Sequence, residues 1–223
     1  MIYKILSLCF LFSSCSLSLM AQWSVGVSGG ATLNFLEWKI QPLNIDLDFD
    51  PHLNGRAAGH VEYTFSPGIA LRADVVYQVI GNKLGALTDA NGETVDSRLV
   101  YTYNTLGSNL SLKISPVKKA RNLYFLAGPG IARIISGHKR LKGDFPEGFE
   151  NPGKRAMDLD AEAIRRTQWI ADLGIGYSIP CGARGRIAAE GRYQYGLSGF
   201  STSDNVKARM QTAVLTAGYF HQF

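Results

Sequence analysis

Ala213-Val214-Leu215-Thr216-Ala217-Gly218-Tyr219-Phe220-His221-Gln222-Phe223 ends the sequence and alternates between two faces. Leu215, Ala217, Tyr219 and Phe223 fall on one side, with His221 between the last two. Val214, Thr216, Gly218, Phe220 and Gln222 fall on the other. A period of two is the signature of a strand. A strand closing on Phe suits a soluble domain poorly, because terminal residues fray. It suits a membrane barrel well, where the last strand completes the ring and aromatic residues mark the lipid–water boundary. We expect Tyr219 and Phe223 to form a C-terminal assembly signal for the machinery that inserts such barrels.

Seven further segments alternate in the same way. Trp23–Phe35 sets Trp23, Val25, Val27, Ala31, Leu33 and Phe35 against Ser24, Ser28, Thr32 and Asn34. Ala57–Phe65 and Ile69–Ile80 flank the turn Ser66-Pro67-Gly68. Thr102–Ile114 precedes a basic turn, Ser115–Arg121, and Leu123–Ile134 follows it. This fifth segment is apolar on both faces, so its orientation stays open, and Gly128-Pro129-Gly130 is expected to bend or bulge it because proline cannot donate to a ladder. Gln168–Ile179 and Arg186–Tyr195 flank Pro180–Gly185.

The connections decide the topology. Those after the second, fourth and sixth segments are short, whereas 36–56, 81–100, 135–167 and 196–209 are long. Short turns at one end, long loops at the other and an even strand number describe an all-β, eight-stranded antiparallel up-and-down transmembrane barrel, with short turns in the periplasm and long loops outside. Segments of this length fit a tilted crossing. No run after residue 21 has the apolar length of a membrane helix, so a closed barrel is the form in which this chain crosses a bilayer.

The start of the chain has a separate purpose. Lys4 precedes Ile5-Leu6-Ser7-Leu8-Cys9-Phe10-Leu11-Phe12, and small residues lead to Ala21. This pattern predicts a signal peptide over 1–21 and a mature barrel domain over 22–223. A cut before Cys15 would give a surface lipoprotein instead, but Phe12 fits that signal poorly. Without Lys4 the formal charge falls from +5 to +4, and Cys181 is then the one cysteine left, so no internal disulfide forms.

The chain resembles the PorT-like, or "outer membrane protein β-barrel", family of small Gram-negative outer-membrane barrels over nearly all of its mature length. The residues carrying the likeness are Gly26-Val27-Ser28-Gly29-Gly30, Ser111-Leu112-Lys113, Ala127-Gly128-Pro129-Gly130 and Arg192-Tyr193-Gln194-Tyr195-Gly196-Leu197. The resemblance implies location in the cell outer membrane and a link to protein secretion, although barrel shape alone does not transfer a role.

An eight-stranded barrel is filled by its own side chains, so inward charges need partners. Folding about Ser66-Pro67-Gly68 sets Glu62 opposite Arg72 and His60 opposite Asp74. Folding about Pro180–Gly185, with Ser178 facing Arg186, sets Asp172 opposite Arg192. With Glu190 these residues are expected to form an interior ion-pair network. His60 with Asp74 also suits an acid–base pair or proton sensor, though structural charge clusters outnumber catalytic ones.

Other motifs carry less. Gly26-Val27-Ser28-Gly29-Gly30 matches G-x-S-x-G, but that nucleophile needs a strand–turn–helix context. Asp46-Leu47-Asp48-Phe49-Asp50 resembles the start of a calcium loop, yet Pro51 stands where glycine belongs, so a strand rising above the membrane is preferred. Lys139, Arg140, Lys142, Arg165 and Arg166 fall in the third long loop and match lipopolysaccharide phosphates by charge. Met157–Arg166 is expected to form a short helix. No cofactor, metal site or nucleic-acid partner is expected. The function expected is that of a non-enzymatic structural or interaction platform contacting lipid, lipopolysaccharide and other envelope proteins. The alternatives are a lipid-modifying enzyme, or a lipoprotein binding an apolar ligand.

Overall fold

The computed structural model describes residues 22–40, 45–47, 49–84, 87–88, 94–95, 98–116, 122–142, 153–203 and 206–223. The expected leader, 1–21, lies outside them. Eight antiparallel strands close a ring: β1 (Gln22–Ile40), β2 (Phe49–Ser66), β3 (Ile69–Leu84), β4 (Arg98–Ile114), β5 (Leu123–Lys142), β6 (Thr167–Cys181), β7 (Gly185–Gly196) and β8 (Val206–Gln222). Each pairs with the next in the chain, and β1 pairs with β8 from Ser24↔Gln222 to Ile40↔Val206. Two short strands, Ile45–Leu47 and Lys154–Ala156, lengthen the sheet beside β1 and β5. The described residues contain no helix.

Alternation places the apolar stripes outside. Trp23, Val27, Val75, Leu110, Leu173 and Leu215 are exposed, whereas Thr32, Arg72, Ser111 and Asp172 are buried in the lumen. In an aqueous protein this would be inverted; in hydrocarbon it satisfies both side chains and backbone. On β1 the outward apolar residues run from Trp23 to Phe35, a height of about 30 Å at ~3.3 Å per residue and a tilt near 40°. Above them the outer surface turns polar. Gln211 Nε2 donates to Glu37 Oε1 at 2.9 Å, and the Tyr193 hydroxyl donates to Gln211.

The fifth strand turns Tyr124, Leu126 and Ile134 inward and Phe125 and Ile135 outward. Pro129 does not bulge it. The β4–β5 register is the same at Asn109↔Gly130 and Leu112↔Ala127, on either side of the proline, and the irregularity falls instead where Asn104↔Ser136 gives way to Thr105↔Ile134. Gly128 is needed for close approach, because a Cβ there would meet the Leu110 carbonyl oxygen at 1.9 Å.

Of the Asp46–Asp50 run, Asp46 and Leu47 belong to the strand Ile45–Leu47 paired to β1, and Phe49 and Asp50 open β2, while Asp48 lies outside the described residues. Met157–Arg166 is not a helix. It makes a single turn, with Glu162 N donating to Asp158 O and Ile164 N to Leu159 O, and it ends in left-handed Ala163 (φ 53°). The Ala163 carbonyl accepts from Thr202, Arg165 N donates to Phe200 O, and Ile164 bridges Ser201. Two outer connections are thereby tied together. They press Leu159, Ile164 and Phe200 onto Leu36, Ile80, Tyr103, Ile134, Ala208 and Met210, an apolar plug in the outer mouth.

Candidate functional site

Below the plug the lumen is a stack of polar tiers. The hairpin β2–β3 pairs His60 with Asp74 and Glu62 with Arg72 in backbone register. His60 Nδ1 lies 2.7 Å from Asp74 Oδ1. Arg72 does not turn to Glu62, however. Its Nε donates to Asp74 Oδ1 at 2.7 Å, and its remaining nitrogens reach Glu190 across the lumen and His60. Tyr124 donates to Glu190 at 2.6 Å. Glu62 instead accepts from Lys113 at 3.1 Å and from Arg186 at 2.7 Å.

The β6–β7 register differs from expectation by two residues. Asp172 faces Gln194, and Arg192 faces Gly174, because the strands run on to Cys181↔Gly185 around a three-residue turn. A slip of two keeps every side chain on its face. Arg192 therefore still reaches Asp172 diagonally at 3.2 Å, and it donates to Asp74 Oδ2 at 2.7 Å. Asp172 also accepts from Asn109 at 2.8 Å. The expected residues thus gather in the lumen, but mostly with partners other than those in register.

Lys113, Arg186, Tyr124, Asn109 and Ser111 complete the network and were absent from the expected set. Alternation alone puts Lys113, Arg186, Asn109 and Ser111 inward, whereas Tyr124 lies on the fifth strand, whose two apolar faces left its orientation open. Arg56, expected in a loop, is buried on β2 and donates to Gln78 Oε1 at 2.9 Å.

One chain of contacts has catalytic form. Ser28 Oγ lies 2.7 Å from His60 Nε2, whose Nδ1 meets Asp74. The order is that of a serine hydrolase triad. The ring is 4% exposed and stacks on Phe220 at 5.2 Å, while Arg72 Nη2 lies 3.0 Å from Nδ1. Asp74 is further held by Arg72 and Arg192. This arrangement clamps the imidazole rather than presenting it to a substrate.

At the outer rim, Lys139 pairs with Glu162 at 2.9 Å and Arg166 with Asp160 at 2.6 Å. Each carboxylate, by hydrogen bond and charge, raises its partner above the ordinary lysine or arginine value. Arg140 and Arg165 are exposed, and Lys142 ends β5 opposite Arg98. In the outer hairpin, Lys139 faces Arg155 and Arg140 faces Lys154. At the other end, Tyr219 and Phe223 face outward.

The family model described as "Outer membrane protein beta-barrel domain" matches residues 14–201. Among solved structures, Neisserial surface protein A is similar at 14% identity and TM-score 0.43, over 90% of this chain and 97% of that one. The outer membrane protein OprG of Pseudomonas aeruginosa is similar at 10% identity and TM-score 0.45, over 92% and 98%. Ail, the attachment invasion locus protein of Yersinia pestis, solved with a heparin analogue, is similar at 17% identity and TM-score 0.35, over 90% and 99%. No curated protein sequence matches.

Proposed function

Because the chain belongs to the outer membrane protein beta-barrel domain family and resides in the outer membrane, we propose that it is a non-enzymatic platform whose recognition surface is its outer connections. The observation that supports this reading is the filled lumen. Ion pairs occupy the middle, and Leu159, Ile164 and Phe200 plug the outer mouth. Neither solute passage nor substrate access is served by such an interior, which leaves the outer loops as the variable surface. The finer placement among PorT-like barrels, and with it a link to protein secretion, rests on Arg192–Leu197 and the glycine-rich first strand.

Within this proposal, Arg140, Lys142 and Arg165, with the paired Lys139 and Arg166, meet lipopolysaccharide phosphates. Facing cations in the outer hairpin favour an anionic neighbour, since like charges directly opposite are destabilising. Tyr219 and Phe223 form the assembly signal, and residues 1–21 are removed on export. Mass spectrometry should find a mature N-terminus at Gln22; an acylated Cys15 would make the protein a lipoprotein. The decisive experiment is a pull-down of detergent-solubilised protein with the outer loops intact and deleted. Partners should be lost on deletion; an unchanged set would overturn the proposal.

A second reading, a hydrolase built on Ser28, His60 and Asp74, draws on the two 2.7 Å contacts. Labelling of Ser28 by a fluorophosphonate probe in the folded barrel would favour it over the platform.

A further inference from the structure

We propose that the periplasmic mouth of the barrel binds one small soluble oxyanion, a phosphate or a carboxylate, between Lys113 and Arg186. The first observation is a cavity of about 120 Å³ at this end, lined by Glu62, Thr64, Lys113, Ser115, Ser178 and Arg186. A single water needs roughly 10–15 Å³ by the same kind of measure. The space therefore holds several waters or one tetrahedral or planar anion.

The second observation is a local excess of charge. In the middle of the lumen, Arg56, Arg72 and Arg192 share their space with Asp74, Asp172 and Glu190, and the charges balance. At the periplasmic end Lys113 and Arg186 converge on Glu62 alone, at 3.1 and 2.7 Å. Among the described residues one positive charge is left without a carboxylate, in surroundings where unpaired charge is costly. Lys113 is held in place by the Tyr124 ring, 4.2 Å from Nζ, and the Arg186 guanidinium lies 4.8 Å over Phe220. Of the Arg186 guanidinium nitrogens, Nη2 alone is hydrogen-bonded to described residues, namely Glu62 and Ser24, and the side chain is 28% exposed. Its free edge suits the paired oxygens of a carboxylate or phosphate.

The third observation is the ring of hydroxyls. Thr64, Ser115 and Ser178 line the same cavity, and hydroxyls donate readily to oxyanions. Glu62, Lys113 and Ser178 line it from the lumen side, which favours an oxyanion dissolved in the periplasm over a headgroup phosphate, and the test separates the two.

The test uses the whole barrel in non-ionic, phosphate-free detergent micelles, followed by NMR as inorganic phosphate, and separately acetate, is added. Saturable shifts are expected at the amides of Gly68, Ser115 and Ser178 and at the Arg186 side chain. R186Q should weaken the response about ten-fold, as loss of a charge-assisted contact predicts, and R186K should retain most of it. E62Q should strengthen it, because a competing carboxylate is gone. The proposal is overturned if wild-type shifts fall on the outer loops alone or do not saturate, or if folded R186Q titrates like the wild type. It is equally overturned if phosphatidylglycerol micelles reproduce the shifts without free anion. If R186Q does not fold, the wild-type map and the R186K titration decide.

Discussion

Arg72 shows how a buried charge in this lumen is made tolerable. Its donors are divided among Asp74, Glu190 and His60, and it is 1% exposed. Replacing it with methionine removes the cation and leaves two buried carboxylates short of a partner. R72M is therefore expected to cost about 3–5 kcal/mol, the range for breaking a buried pair from one side. Denaturant unfolding in lipid vesicles measures this, and unchanged stability would show that Arg72 is dispensable to the network. That His60 faces Asp74 was legible from folding the sequence about Ser66-Pro67-Gly68, although the hairpin closes on Ser66↔Ile69 and reaches this register through an irregularity between Thr64 and Ser66 that left no trace in the pattern. That Arg72 binds Glu190, and Glu62 binds Lys113 and Arg186, was not. Those partners lie on strands distant in sequence, and long side chains crossing a lumen leave no periodic trace.

At the level of strands, sequence pattern located all eight but ended most of them early. β2 begins at Phe49 rather than Ala57, β5 runs on to Lys142, and β8 starts at Val206. The reason is physical. Above the bilayer the outward face turns polar while the inward face packs on the plug through Leu36, Tyr103, Ala208 and Met210, so the apolar-out, polar-in alternation stops and hydrogen-bonded backbone continues without the signal that reveals it. Glycines within these strands are not equivalent. A Cβ at Gly128 would meet Leu110 O at 1.9 Å, whereas one at Gly55 would meet nothing within 4 Å. G128A should therefore destabilise the barrel by about 2–3 kcal/mol, while G55A should fall within about 0.5 kcal/mol of the wild type. Equal effects would mean that β4 and β5 do not approach as closely as described. The plug gives a second check at this scale. Phe200 is 1% exposed and meets Tyr103 edge-on at 5.3 Å. F200A should cost about 3–5 kcal/mol, and in planar bilayers it should conduct more often than the wild type; identical stability and conductance would remove the plug from the account.

For the molecule as a whole, the sharpest question is what surrounds it. Val75 is 62% exposed, the most exposed of the large apolar residues on the outward face of β3, with Ile69 and Leu71 on one side of it and Tyr77 on the other. In water, replacing an exposed valine by arginine would change stability by no more than about 0.5 kcal/mol. At the centre of a bilayer the same change costs about 2–4 kcal/mol, falling to about 0–1 near the interfaces. V75R should accordingly be strongly destabilised in vesicles, and F35R, one step below the polar Glu37 level, should be nearly neutral. Unfolding midpoints of the two variants, with an arginine series along β3 between them, trace the depth profile. A peak at Val75 that declines toward both ends follows from a hydrocarbon slab about 30 Å thick, matched to the apolar height of β1. A flat profile would leave the outward stripe, the inward charges and the closed ring without a common cause, because only a non-polar solvent makes that inverted arrangement the stable one.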